Sequence, residues 1–176
     1  MIAKITLGAG CFWCLDATML SLEGVVSSIP GYTGGLSADP SYEEVCSGTT
    51  GHVEVVEVSF DDEIISLGAV LELFWWIHDP TQLNRQGNDL GTQYRSAIFY
   101  HSEEHKIETE MVKANLERSM VWENKIVTTI EPLIVFYPAE EYHHNYFVRN
   151  PLNQYCQFVV KPKIEKFKKV FSDRLK

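Results

Sequence analysis

The 176-residue chain has the length of one ordinary domain, and its 45% hydrophobic and 22% charged residues describe a single packed core over residues 1–176 rather than a disordered or fibrous protein. Its net charge of −9 is uneven: residues 161–176 hold seven Lys/Arg against two Asp/Glu, which leaves the body of the domain acidic and without the basic face that nucleic acid requires. The basic tail reads as a solvated helix face. The longest apolar window, Ile64–Ile77, contains Glu72 and is too short to cross a bilayer, so it is expected to be a core helix. Met1–Leu7 shows no signal-peptide pattern, and a cytoplasmic location with no membrane association is the expectation.

In chain order, Ile2–Leu7 alternates like a strand, Gly8-Ala9-Gly10 turns it, and Phe12, Leu15, Met19 and Leu22 recur at helical spacing after Cys11. Val25–Ile29 is a second strand that leads into Gly31-Tyr32-Thr33-Gly34-Gly35. Ser41-x-x-Glu44 is a capping box for a short helix holding Tyr42 and Cys46. His52–Phe60 is a valine-rich strand carrying Glu54, and Ser66 opens a helix with Val70, Leu71, Phe74 and Ile77 on its buried side. Asp79–Gln93 has neither period nor apolar content, and a loop of that length in a compact domain is usually functional. Tyr94–Tyr100 reads as a strand, Ser102 caps a long charged helix to about Val121, and Thr128–Phe136 reads as another strand. Ala139–Val148 reads as a helix dense in rings, followed by a strand near Phe158 and a tail helix. The interleaved elements predict an α+β fold, a two-layer sandwich with a central mixed β-sheet and flanking helices.

Cys11-Phe12-Trp13-Cys14 falls where a strand turns into a helix, a place where free amides and the helix dipole lower a thiol pKa. Three residues of helix separate Cα atoms by about 5 Å, within reach of a disulfide. Taken alone, this C-x-x-C is open to redox use, to core packing, or to a metal site completed by Cys46 and Cys156, although no further pair has ligand spacing. Other motifs fail on inspection. Gly8-x-Gly10 lacks the third glycine of a dinucleotide loop, His101-Ser102-Glu103-Glu104-His105 has Ser102 where a zincin needs Glu, and no G-x-S-x-G occurs.

Several unusual strings occur together and in one order. They are Gly10-Cys11-Phe12-Trp13, Gly31-Tyr32-Thr33-Gly34-Gly35, Tyr42-Glu43-Glu44-Val45-Cys46-Ser47-Gly48, Gly51-His52-Val53-Glu54, His78-Asp79-Pro80-Thr81, Asn84-Arg85-Gln86-Gly87-Asn88-Asp89 and Gly91-Thr92-Gln93-Tyr94-Arg95-Ser96. From about Ile2 to Val160 the chain resembles the A-type peptide methionine sulfoxide reductases. That resemblance implies reduction of the S-epimer of methionine sulfoxide, free or in proteins, without a cofactor, by a monomer that a thioredoxin or another dithiol regenerates.

Residue by residue, the resemblance implies Cys11 as nucleophile, Glu54 as proton donor, Tyr42 and Tyr94 as holders of the sulfoxide oxygen, Phe12 and Trp13 as an apolar slot for the substrate methyl, and Asp89 as an orienting group. The chemistry suits these residue types, because a sulfoxide sulfur becomes electrophilic only when its oxygen is protonated or strongly hydrogen-bonded. A carboxylic acid that donates at neutral pH needs an apolar pocket, so the Glu54 pKa is expected to be raised. Cys46 is expected to be buried structure. Cys14 departs from the glycine common in the family, and Tyr155-Cys156 resembles its resolving segment, so either thiol could resolve the Cys11 sulfenic acid. His143, in Tyr142-His143-His144, matches a family Tyr-His-Gln segment and is a supporting candidate only. A general thiol–disulfide oxidoreductase and a four-cysteine metal or partner module remain the competing readings.

Overall fold

Alternation of Ile5 and Leu7 with polar neighbours makes Ile2–Gly8 a strand, β1, exposed at its start and buried on both faces from Ile5 to Gly8. In the computed structural model, which describes all of Met1–Lys176, β1 is joined by β2 (Val25–Thr33), β3 (Val53–Asp61), β6 (Ala97–Tyr100), β7 (Thr129–Pro132) and β8 (Tyr137–Pro138), in the spatial order β7-β6-β1-β3-β2-β8. β4 (Arg85–Gln86) and β5 (Asp89–Leu90) form a separate hairpin. The sheet is mixed, since β6 and β7 pair in parallel and every other pair is antiparallel.

Helix α1 (Phe12–Leu20) joins β1 to β2, and after the short α2 (Tyr42–Cys46), helix α3 (Leu67–Ile77) joins β3 to β6. In each case the two linked strands run parallel with one strand between them, so two split β-α-β units interleave. The long α4 (Glu103–Ser119) makes the crossover that a parallel β6–β7 pair requires. The short α5 (Tyr146–Arg149) precedes α6 (Lys161–Val170). Leu15 and Met19 of α1, Val70, Leu71 and Phe74 of α3, and Phe167 of α6 bury against Ile5, Leu7, Val56, Val58 and Phe60 of the sheet. The opposite face carries a small cluster of Val53, Val55, Ala97 and Phe99, covered by Leu133 and Phe136. This is the expected two-layer arrangement.

The serine caps form as read: Ser41, Ser66 and Ser102 accept from the amides of Glu44, Ala69 and His105 at 3.1, 3.1 and 3.2 Å. Each such cap contributes about 1 kcal/mol. Four expectations are corrected. The strand after the long loop begins at Ala97, leaving Tyr94 in a 3₁₀ turn, Thr92–Tyr94. The strand expected over Thr128–Phe136 stops at Pro132, where its partner β6 ends at Tyr100, whose carbonyl accepts a last bond from the Leu133 amide at 3.0 Å. Ala139–Val148 is a 3₁₀ turn, Glu141–His143, and then α5, broken at Asn145 with φ +54°. No strand forms near Phe158, because Cys156–Val160 is a π-helical turn that runs into α6. No helix is long and apolar enough to cross a membrane.

Candidate active site

β1 ends in a turn that only glycine suits at position 10: its φ is +87°, and a Cβ there would lie 2.8 Å from Cβ of Gln86. Gln86 is buried, and its amide bonds Asp79 at both ends, accepting from N–H at 3.1 Å and donating to C=O at 3.0 Å. The long loop is therefore braced against the turn that presents Cys11. Cys11 is the N-cap of α1 and half-buried. The lowered thiol pKa expected from the helix dipole is not found. Burial pushes the thiol well above its ordinary value, the charges of Glu54, Cys14 and Asp89 push the same way, and the Trp13 amide opposes them weakly.

Glu54 lies on β3 facing α1, fully buried, and accepts the Phe12 amide on Oε1 at 3.3 Å, while Oε2 has no partner. Burial raises its pKa to about 8, with the Asp89 charge adding and the Phe12 amide opposing. This carboxyl therefore holds its proton near neutrality, as the sequence reading expected.

Tyr42, at the first position of α2, and Tyr94 both turn half-buried hydroxyls toward Glu54, and their pKa values are pushed up by burial and then by the Glu54 charge. Cys46 corrects its expectation. It is half-exposed, and its thiol lies beside both of these hydroxyls, because one helical turn returns residue 46 to the face of residue 42. The Phe12 ring is stacked on Tyr42 at 6.4 Å and tilted against Tyr32 at 5.8 Å.

Trp13 is clamped from three sides. Its ring stacks on Tyr146 at 3.8 Å and 6°, meets the edge of Tyr155 at 5.8 Å, and donates Nε1–H to His143 Nδ1 at 3.0 Å. His143 is fully buried, and burial lowers its pKa to about 4, so it is neutral and accepts at Nδ1. Asp89 Oδ2 accepts the Tyr155 hydroxyl at 2.5 Å, and the same hydroxyl lies beside the Cys11 thiol. All ten candidate residues thus gather around the start of α1. Sequence reasoning missed Tyr155 and Tyr146, for which its only signal was the density of rings in 142–155, and Glu140, for which it had none.

Cys14, one turn beyond Cys11, packs with Cys156, Val160 and Ile164 in a small apolar cluster bordered by Trp13 and Tyr155. Burial raises Cys14 to about 11, with the Lys163 ammonium pulling it back, and burial also raises Cys156. All four cysteines are free thiols. No three His, Cys, Asp or Glu side chains are grouped to hold a metal ion.

A buried acid, a nucleophilic position at a helix start, two phenols and two further thiols make a site for thiol chemistry on an oxygen-bearing electrophile. Comparison with known proteins agrees. The family model described as peptide methionine sulfoxide reductase matches residues 3–175. A peptide methionine sulfoxide reductase MsrA of Saccharolobus solfataricus is 52% identical over 97% of this chain and 96% of its own. Among solved structures, reduced Mxr1 of Saccharomyces cerevisiae superposes with a TM-score of 0.82 at 39% identity, covering 88% of this chain and 89% of that one. Mxr1 in complex with Trx2 matches at a TM-score of 0.59 and 31% identity over 82% and 84% of the two chains. The match along nearly the whole length places this chain in the peptide methionine sulfoxide reductase family.

Proposed function

We propose that the chain reduces methionine S-sulfoxide, free or in proteins, with Cys11 as nucleophile and Glu54 as acid. The observation that carries this reading is the Glu54 carboxyl, buried beside the start of α1, protonated below about pH 8 and with one oxygen free of protein partners. The substrate methyl lies against Phe12 and Trp13, and the sulfoxide oxygen takes hydrogen bonds from Tyr42 and Tyr94. The Cys11 thiolate attacks the sulfoxide sulfur as Glu54 protonates its oxygen. The S–O bond breaks and releases hydroxide, which attacks the Cys11 sulfur. Cleavage of the S–S bond returns its electron pair to the substrate sulfur, releasing methionine and leaving Cys11 as the sulfenic acid. Asp89 and Tyr155 lie against the reacting thiol and hold its orientation.

A second thiol then displaces water from the Cys11 sulfenic sulfur, so one sulfoxide and two thiols become methionine, a disulfide and water. Cys14 is the nearer resolver, one helical turn away, and its packing on Cys156 allows the disulfide to pass outward by exchange. An external dithiol protein of the thioredoxin type opens it, in keeping with the structural neighbour that is complexed with Trx2. His143 holds the Trp13 ring in place.

Chiral chromatography of a blocked methionine sulfoxide, with dithiothreitol as reductant, tests the reading. Loss of the S-epimer alone, abolished in Cys11→Ser, is the expected result, and survival of both epimers in the wild type would overturn it. Peptide mapping after one turnover is expected to lose the Cys11–Cys14 disulfide in Cys14→Ser and to lose only its outward transfer in Cys156→Ser. Unchanged mapping in both variants would sink the relay.

A further inference from the structure

Glu140 lies just before the His143 turn, and its two carboxylate oxygens are both engaged by groups that surround Phe12. Oε1 accepts the Tyr32 hydroxyl at 3.0 Å, and Oε2 accepts the backbone amide of Tyr42 at 3.0 Å. That amide is the first of α2, a helix of five residues with one buried side chain, Val45. The first amides of a helix have no partner within it, and so short a helix is not stable on its own. Ser41 takes the amide of Glu44, and Glu140 takes that of Tyr42 from 98 residues away. The backbone position of Tyr42 is thus set by a side chain outside its own element. The other oxygen fixes Tyr32, a fully buried ring packed on the far side of Phe12. Burial raises the pKa of Glu140, but its own backbone amide, the Tyr42 amide and the Tyr32 phenol together lower it below the ordinary value, so the carboxylate is ionised at neutral pH and both hydrogen bonds are charge-assisted.

We propose that Glu140 is a positioning residue for the reduction step, setting the Tyr42 hydroxyl and the Phe12 slot against the sulfoxide while touching neither. The inference rests on the reading of Tyr42 as a holder of the sulfoxide oxygen. It is distinct from the role of His143, which bears on Trp13, and it assigns a task to a carboxylate that the chemistry itself does not use. A two-point clamp of this kind acts on geometry, and displacement of a reacting contact by about 1 Å can cost a hundredfold in rate.

The test is a double-mutant cycle on kcat/KM for blocked methionine S-sulfoxide, using Glu140→Ala, Glu140→Gln, Tyr42→Phe and the Tyr42→Phe/Glu140→Ala double variant. Glu140→Ala is expected to lose about tenfold, mostly in kcat, for contacts made in the transition state. Glu140→Gln is expected to recover most of that loss, because an amide can accept from Tyr42 N–H and donate to the Tyr32 oxygen. In the Tyr42→Phe background, Glu140→Ala should cost only about twofold more, the part that passes through Tyr32 to the Phe12 ring, since the rest runs through the missing hydroxyl. Equal losses in both backgrounds, or no loss in either, would overturn the inference and leave the assignment of Tyr42 standing. If Tyr42→Phe alone retains full activity, the assignment of Tyr42 fails and the inference falls with it. Alkylation of Cys11 by iodoacetamide is expected to match the wild type in Glu140→Ala, and a severalfold change would show a general disturbance of the site instead. If the alanine variant does not fold, Glu140→Asp, which keeps the charge and shortens the reach, carries the same cycle with the same criteria.

Discussion

Two buried polar clusters flank the sheet, and they differ in one respect. Around His78 every valence is used: Trp75 Nε1–H donates to Thr128 Oγ1 at 3.2 Å, Thr128 to Ser96 at 2.7 Å, Ser96 to His78 Nε2 at 2.8 Å, and His78 Nδ1–H to the Phe74 carbonyl at 2.6 Å. Around Cys11, Glu54 Oε2 and His143 Nε2 are buried with no partner. Burial pushes both His78 and His143 down to about 4, so a perturbed pKa does not tell one cluster from the other. The open valences do. A closed network fixes structure, whereas a site that must accept a sulfoxide keeps hydrogen-bonding capacity in reserve.

The sharpest way to break this contrast is Glu54→Gln. Loss of the acid is expected to slow sulfoxide reduction by at least about a hundredfold in single-turnover assays. The same change is expected to stabilise the fold. The folded-state pKa of about 8 lies above the ordinary 4.5, so the contribution of Glu54 to stability is complete below 4.5 and is lost as pH rises toward 8. Gln, which does not titrate, should therefore melt higher than the wild type by a margin that widens from pH 5 to pH 8. An unchanged melting difference across that range would count against the raised pKa.

Next in size is a change in the pH profile. In the proposed reaction, the reactive form carries a protonated Glu54 and a Cys11 thiolate, one proton shared between two groups of which the acid has the lower pKa. Wild-type kcat/KM should climb with pH and level off near pH 8, whereas Glu54→Gln should go on climbing beyond it. Identical profiles would remove Glu54 from the proton transfer.

In the closed cluster, Ser96→Ala leaves His78 Nε2 and the Thr128 hydroxyl short of a partner and should cost about 2 kcal/mol in urea unfolding. Activity at 25 °C is expected to stay within about twofold, because only folding depends on that network. A large loss of turnover without loss of stability would erase the distinction between the two clusters. The smallest effect is expected at Lys163, whose ammonium eases ionisation of Cys14. In a Cys11→Ser/Cys156→Ser background, Lys163→Met should slow alkylation of Cys14 severalfold at pH 8, where the thiol lies far below its pKa of about 11 and the rate follows the thiolate fraction. Equal rates with and without Lys163 would show that the charge does not reach the thiol.

Local signals made much of this molecule legible in its sequence. The valine-rich β3 and the three serine-capped helices depend on residues within a turn of one another, and they form where expected. Residues 139–160 were not legible, for a physical reason. The break at Asn145 is held by the Asn145 amide donating to Asp16 Oδ2 at 2.9 Å, across 129 residues of sequence, which helical spacing cannot reveal. The short apolar run at Phe158-Val159-Val160 suits strand and helix equally, and packing of Val160 beside Ile164 and Cys14 decided for helix. At the site, Cys11, Glu54, Tyr42, Tyr94 and Asp89, which the structure brings together, were singled out through motifs occurring together. Glu140 and Tyr155 join them through tertiary hydrogen bonds that no motif records.

The π-helical turn at Cys156–Val160 makes this protein sensitive to length at one place. A π turn is a helix holding one residue more than an α turn, and such bulges are often found at functional sites. Deleting a single residue there would let the segment relax into continuous α-helix with α6, at little cost in hydrogen bonds. It would also rotate everything upstream by about 100°, carrying Cys156 off the Cys14 side. The extra residue thus acts as a spacer, and a one-residue deletion should spare the fold while slowing the first turnover, because Tyr155 is carried off Asp89 and Cys11, and halting the outward passage of the disulfide.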